Sequence, residues 1–157
     1  MKKIILSFIF LGFFISFASP CFAETKKLTI LFTGDTRGEL ENCHCPKNDF
    51  GGFERRSNYI NEVRRDAGEI LLLDVGDVLP LFNPEFTRKT ITYNAFISLK
   101  AMDLIGYDAM NAGESDLILG EKFLQGKSKN LKFPVISSNI VYKSTNQPYF
   151  KPYVIKT

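Results

Sequence analysis

The sequence predicts an α/β protein built as a layered sheet with flanking helices. Three observations carry that prediction. Short β-rich runs alternate with segments of helical periodicity along the chain. The run Ile70–Val75 is apolar apart from Asp74 and sits between Gly68 and Gly76, the pattern of a strand covered on both faces in a parallel sheet. Three predicted strands also end in a glycine followed by an acid: Gly34-Asp35, Gly76-Asp77 and Gly113-Glu114. Parallel strands joined by right-handed crossovers would bring these acids to one sheet edge.

In chain order, residues 1–23 read as an export signal. Lys2 and Lys3 precede the apolar stretch Ile4–Ala18, and Cys21-Phe22-Ala23 supplies a small residue at the cleavage position near Ala23. The apolar stretch is short of the roughly 20 residues a membrane-spanning helix needs, and Pro20 disfavours lipidation of Cys21. The expected location is therefore the periplasm or the extracellular space. Residues 24–157 form one domain-sized unit without internal repeat, low-complexity segment or linker. Removing Lys2 and Lys3 brings the 20 basic residues close to balance with the 17 acidic ones, which gives no reason to expect a nucleic-acid partner.

The first strand is Leu28–Phe32. Phe53–Asp66 follows as a helix, with Phe53, Ile60 and Val63 at helical spacing, arginines on its other faces and a stop at Gly68. The pairs Arg55-Arg56 and Arg64-Arg65 read as its solvated surface. After the strand at Ile70–Val75, Arg88–Ile105 places Ile91, Ala95, Leu99, Met102 and Ile105 on one stripe, and Gly106 ends it. Ala109–Ala112 is a third strand, Asp116–Gln125 a short helix, Phe133–Ser138 a fourth strand and Tyr149–Ile155 an extended tail. The last strand is expected to leave an open edge, which invites a C-terminal half or a partner chain to complete the sheet.

The chemistry-bearing residues fall into two groups. Asp35, Asp77 and Glu114, with Asp116 two residues on, suit a divalent cation or a pair of them; Gly-acid pairs are also ordinary turn chemistry. Cys43-His44-Cys45 contains the chain's one histidine. Its spacing fits neither c-type haem attachment, nor a thioredoxin-like pair, nor a closed zinc site. A metal or cofactor role, a disulfide or redox role, and an incidental cluster all stay open.

Leu28–Leu40, Gly51-Gly52-Phe53-Glu54-Arg55-Arg56, Leu72–Asp77, Leu104–Met110 and Phe133–Ile140 together resemble the calcineurin-like metallophosphoesterases, closest to their secreted 5′-nucleotidase and UDP-sugar hydrolase branch. The resemblance implies a partial domain of that fold, a phosphorylated small molecule such as a nucleotide as ligand, and a two-metal hydrolytic centre (zinc, manganese, magnesium or calcium). Asp35 and Asp77 stand where that family binds metal. Arg37 stands in place of a ligand histidine, Glu114 in place of a metal-binding asparagine, Ser115 in place of the catalytic histidine, and Asp116 in place of a glutamate. An arginine has no lone pair to offer a metal. Arg37 is therefore expected to replace a cation by pairing with Asp35 and Glu114, with a phosphate contact or plain surface exposure as the alternatives. One metal or none would be retained, and this chain alone would hydrolyse weakly or not at all.

Overall fold

The computed structural model describes residues 27–47 and 50–156. The signal segment and Cys21 lie outside the described residues. The elements run β1 (Thr29–Thr33), α1 (Phe53–Ala67), β2 (Ile70–Asp74), α2 (Arg88–Ile105), β3 (Ala109–Asn111), a 3₁₀ turn (Ser115–Leu117), α3 (Glu121–Ser128) and β4 (Val135–Ile136).

The four strands form one parallel sheet in the order β1-β2-β3-β4. When every crossover steps the same way with the same hand, the connecting helices fall on one face. Burial alternates accordingly. Leu72, Met110 and Val135 are buried and join Ile60, Leu99, Met102, Leu124 and Phe133 in one core. On the opposite face of β1, Ile30 is 50% and Phe32 73% exposed. Their register partners Leu71 and Leu73 on β2 are half-buried. The apolar run at Ile70–Val75 is thus covered on its helix side and only partly on the other, which corrects the two-faced burial expected from its composition.

The helix limits are set by local chemistry. Thr87 caps α2 by accepting from Thr90 N–H at 3.2 Å, and Gly106 ends it in the left-handed conformation at φ 84°. Arg64 closes the same helix end from α1, donating to the carbonyls of Ile105 at 2.7 Å and Gly106 at 2.9 Å. Arg64 therefore has a structural role beyond the solvated surface expected of it. The helix expected at Asp116–Gln125 is split into the 3₁₀ turn and α3 by Gly120, at φ 87°. The fourth strand is shorter than expected, and its edge is not wholly open: Ile136 bridges Lys151 in parallel, and Ser137 N–H donates to the Lys151 carbonyl at 2.9 Å.

Candidate functional site

Three loops leave the C-terminal edge of β1, β2 and β3 and lock to one another through their backbones. Asp35 N–H donates to Gly76 O at 2.9 Å, Arg37 N–H to Asp77 O at 2.9 Å and Gly38 N–H to Val78 O at 2.8 Å. These bonds tie the β1 loop to the β2 loop beyond the last sheet residues. The β2 and β3 loops meet at two glycines. A Cβ on Gly76 would lie 2.8 Å from Gly113 N, and one on Gly113 would lie 2.5 Å from Asp77 N. Glycine before these acids thus serves a close backbone approach, here of one loop to the other.

Asp35, Arg37 and Asp77 all occupy the left-handed region, at φ 56°, 50° and 59°. Such backbone is sparse for non-glycine residues and costs of order 1–3 kcal/mol each. Its concentration in one loop pair is a mark of a functional site that no residue pattern announces.

Asp116 supplies the hub of this arrangement. Its carboxylate is fully buried. One oxygen accepts from Val78 and Leu79 N–H, both at 2.9 Å, and the other from Asp77 N–H at 2.9 Å and Gly113 N–H at 2.8 Å. Burial pushes its pKa up, against four N–H bonds that favour the ionised form. Asp77 in turn accepts from Ser115 N–H at 2.8 Å. The sequence placed Asp116 among candidate ligands; its structural part was hidden because the four donors are backbone groups.

The Arg37 guanidinium pairs with Asp35 at the surface. The hydrogen bond from Arg37 to Asp35, the charge of Asp35 and the charge of Asp77 raise its pKa, so it stays cationic. Arg37, Asp77, Glu114 and Ser115 line a cavity of about 400 Å³ with Leu81 and Phe82 on its wall. Glu114 is exposed and lines that cavity without joining the Arg37–Asp35 pair, so the expected three-way bridge is realised with one carboxylate. The Ser115 hydroxyl is buried and has no hydrogen-bond partner.

These residues do not fit a two-cation centre. Asp35 is engaged by a guanidinium, both Asp116 oxygens by backbone N–H groups, and one Asp77 oxygen by Ser115. Among the described residues no three histidine, cysteine, aspartate or glutamate side chains cluster to hold a metal ion.

A second network lay beyond sequence reasoning. Thr33 donates to Asp74 at 2.6 Å and shares a 2.7 Å bond with the Tyr107 hydroxyl. Arg56 donates to the buried Thr36 at 2.9 Å and stacks over Phe53 at 4.7 Å. Arg56 therefore braces the Asp35 loop from below and is not simply the solvated surface expected of it. Cys43, His44 and Cys45 lie elsewhere, exposed on a loop closed by the Asn42–Gly51 bridge. His44 lines a separate cavity of about 540 Å³ with Glu41, Glu54, Arg55 and Asn58.

The chain thus sets acidic loops at the C-terminal edge of a four-stranded parallel sheet. It superposes on the calcineurin-like phosphoesterase YfkN from Bacillus subtilis with a TM-score of 0.65 and 26% identity, over 82% of this chain and 41% of that one. In sequence the chain is 30% identical over 138 residues to the protein UshA of Escherichia coli, across 84% of this chain and 23% of that protein. It is 33% identical over 138 residues to the 5′-nucleotidase of Vibrio cholerae, again across 84% and 23%. No family model matches the chain. The chain belongs to the calcineurin-like phosphoesterases, in the group that contains UshA and the 5′-nucleotidases, and spans about a quarter of the length of these curated relatives. No described helix is long and apolar enough to cross a membrane.

Proposed function

We propose that this chain is a 5′-nucleotidase-like domain of an exported protein, and that it binds a phosphorylated small molecule, a nucleotide above all, without two-metal hydrolysis. The single observation that carries the reading is the Arg37–Asp35 ion pair at a cavity that Asp77, Glu114 and Ser115 also line. A guanidinium matches phosphate geometry and can donate parallel N–H bonds to its oxygens. Leu81 and Phe82 offer apolar surface to the rest of such a ligand.

The loss of hydrolysis follows from chemistry at the same positions. Arg37 cannot ligate a metal, and the Ser115 hydroxyl does not titrate near neutral pH as a histidine would. Residues 1–23 support export, and residues 24–157 are read as the N-terminal part of the phosphoesterase domain. The apolar strip of Ile30 and Phe32 supports further polypeptide packing there, either a C-terminal half or a partner chain.

The test combines two measurements on the purified protein. AMP and inorganic phosphate are expected to raise the melting temperature, while AMP and p-nitrophenyl phosphate release no phosphate with added zinc or manganese. Two metal ions bound per chain, or metal-dependent turnover abolished by Asp77→Asn, would overturn the reading.

A further inference from the structure

The Cys43-His44-Cys45 loop lies outside the Arg37 cavity, and nothing in the proposed ligand binding uses it. Its geometry is nevertheless specific. His44 sits in the left-handed region at φ 50°, a conformation that needs support in a non-glycine residue. Left-handed helical backbone, the usual partner of such a φ, holds a residue's two neighbours' Cα atoms about 5.4 Å apart. That separation falls within the window for a disulfide, about 4.4–6.8 Å. An extended residue at His44 would hold the same atoms farther apart.

The side chains follow the backbone. Cys45 Sγ folds back over the turn, its thiol donating to the Cys43 carbonyl oxygen at 3.7 Å. The base of the loop is pinned by the Asn42–Gly51 bridge and by Cys43 N–H donating to Phe50 O at 2.8 Å. Both cysteines are exposed, and the cavity of about 540 Å³ lined by His44 opens alongside them.

We propose that Cys43 and Cys45 are a redox-active pair that closes and opens an internal disulfide by exchange with accessible disulfides of other proteins. The ring spanning only His44 is small and strained, and strained exposed disulfides are the easily reduced, exchanging kind. Exposure alone would serve a structural bond poorly and serves an exchanging one well.

The exchange balances without any further reagent. The thiolate of one cysteine attacks a sulfur of the partner disulfide, that S–S bond breaks, and the departing thiolate takes a proton. A mixed disulfide joins the two proteins. The second cysteine, as thiolate, attacks the sulfur of the first, forming the Cys43–Cys45 bond and releasing the second partner thiol. Two electrons and two protons pass from this protein to the partner, and the dithiol is oxidised as the disulfide is reduced.

Trypsin cuts after Arg37 and Lys47, so both cysteines lie on the single peptide Gly38–Lys47. The protein is equilibrated with reduced and oxidised glutathione, quenched with a maleimide, digested and weighed. The expected product is an unlabelled peptide lighter by about two hydrogens than the dithiol, interconverting with the doubly labelled one as the glutathione ratio changes. The reduced protein should also speed insulin disulfide reduction by dithiothreitol at least tenfold, and Cys43→Ser and Cys45→Ser should each abolish that rate. One of the two single variants should instead accumulate the mixed disulfide with glutathione. Circular dichroism and the AMP-induced melting shift, both expected unchanged in these variants, separate loss of the thiols from loss of the fold.

Separate glutathione adducts on both cysteines with no internal bond would overturn the proposal. So would an internal bond that fails to accelerate insulin reduction, or stoichiometric zinc that blocks maleimide labelling.

Discussion

Asp116→Asn tests the claim that a buried carboxylate organises the site loops through backbone N–H bonds. The wild-type side chain accepts four backbone N–H bonds, two on each oxygen. An asparagine keeps one acceptor oxygen. With that oxygen turned to Val78 and Leu79, its amide nitrogen faces the N–H groups of Asp77 and Gly113, donor against donor. Two N–H groups then lose their acceptor, at about 1–3 kcal/mol each. Relief from burying a charge offsets part of the loss, since burial is what pushes the Asp116 carboxyl up. The expected net loss is about 2–5 kcal/mol, a large fraction of the 5–15 kcal/mol typical of a domain. Urea unfolding followed by circular dichroism measures it. Hydrogen exchange at the Asp77 and Gly113 amides should rise more than at core amides such as Leu72. A loss below about 1 kcal/mol, or exchange that rises evenly across the domain, would refute Asp116 as the organiser of these loops.

Further outcomes follow from the same contacts. Burial raises the Asp74 carboxyl to about 6, from an ordinary value near 3.8. Its contribution to stability is full below the ordinary value and is lost as pH rises through 6. Wild type should therefore lose up to about 3 kcal/mol between pH 4 and 7 relative to Asp74→Asn, read from paired urea titrations. Gly113→Ala drives a methyl to 2.5 Å from Asp77 N and should destabilise by about 1–3 kcal/mol or more, whereas Gly126→Ala, inside α3 with nothing within 4 Å, should hold or gain up to about 1 kcal/mol in the same melts. Arg37→Ala should lose the AMP-induced rise in melting temperature while its urea midpoint stays at the wild-type value, because the Arg37–Asp35 pair is exposed.

Periodicity and punctuation made most of the fold legible. The apolar stripe Ile91, Ala95, Leu99, Met102 located α2 to the residue, because each side chain meets the core and Gly106 adopts the αL stop its sequence promised. The β2 run misled in one respect. Composition reports that a strand is apolar, whereas the sheet order decides how many faces are covered. The site was legible as a set of acids at strand ends and less so as a set of roles. Asp77 and Asp116 look alike in sequence, yet one lines the cavity and the other is spent on backbone donors. Arg56 and Arg64 were invisible as braces because their acceptors, Thr36 and the Ile105 carbonyl, are far away in the chain. Positive φ at Asp35, Arg37 and Asp77 left no trace, since none of them is glycine.

The substitutions at Arg37 and Ser115 are best understood together with what holds the loops. Carboxylates brought together at a sheet edge repel unless something positive stands among them. Among the described residues, backbone N–H groups converge on Asp116 and Asp77, and a guanidinium lies against Asp35. Those contacts fix the loop geometry with the chain's own atoms. That arrangement has a chemical cost, because a fixed guanidinium can neutralise phosphate charge but cannot activate water for attack on phosphorus. On the proposed reading, a loop cluster stabilised in this way is suited to recognising a phosphate and not to hydrolysing its ester.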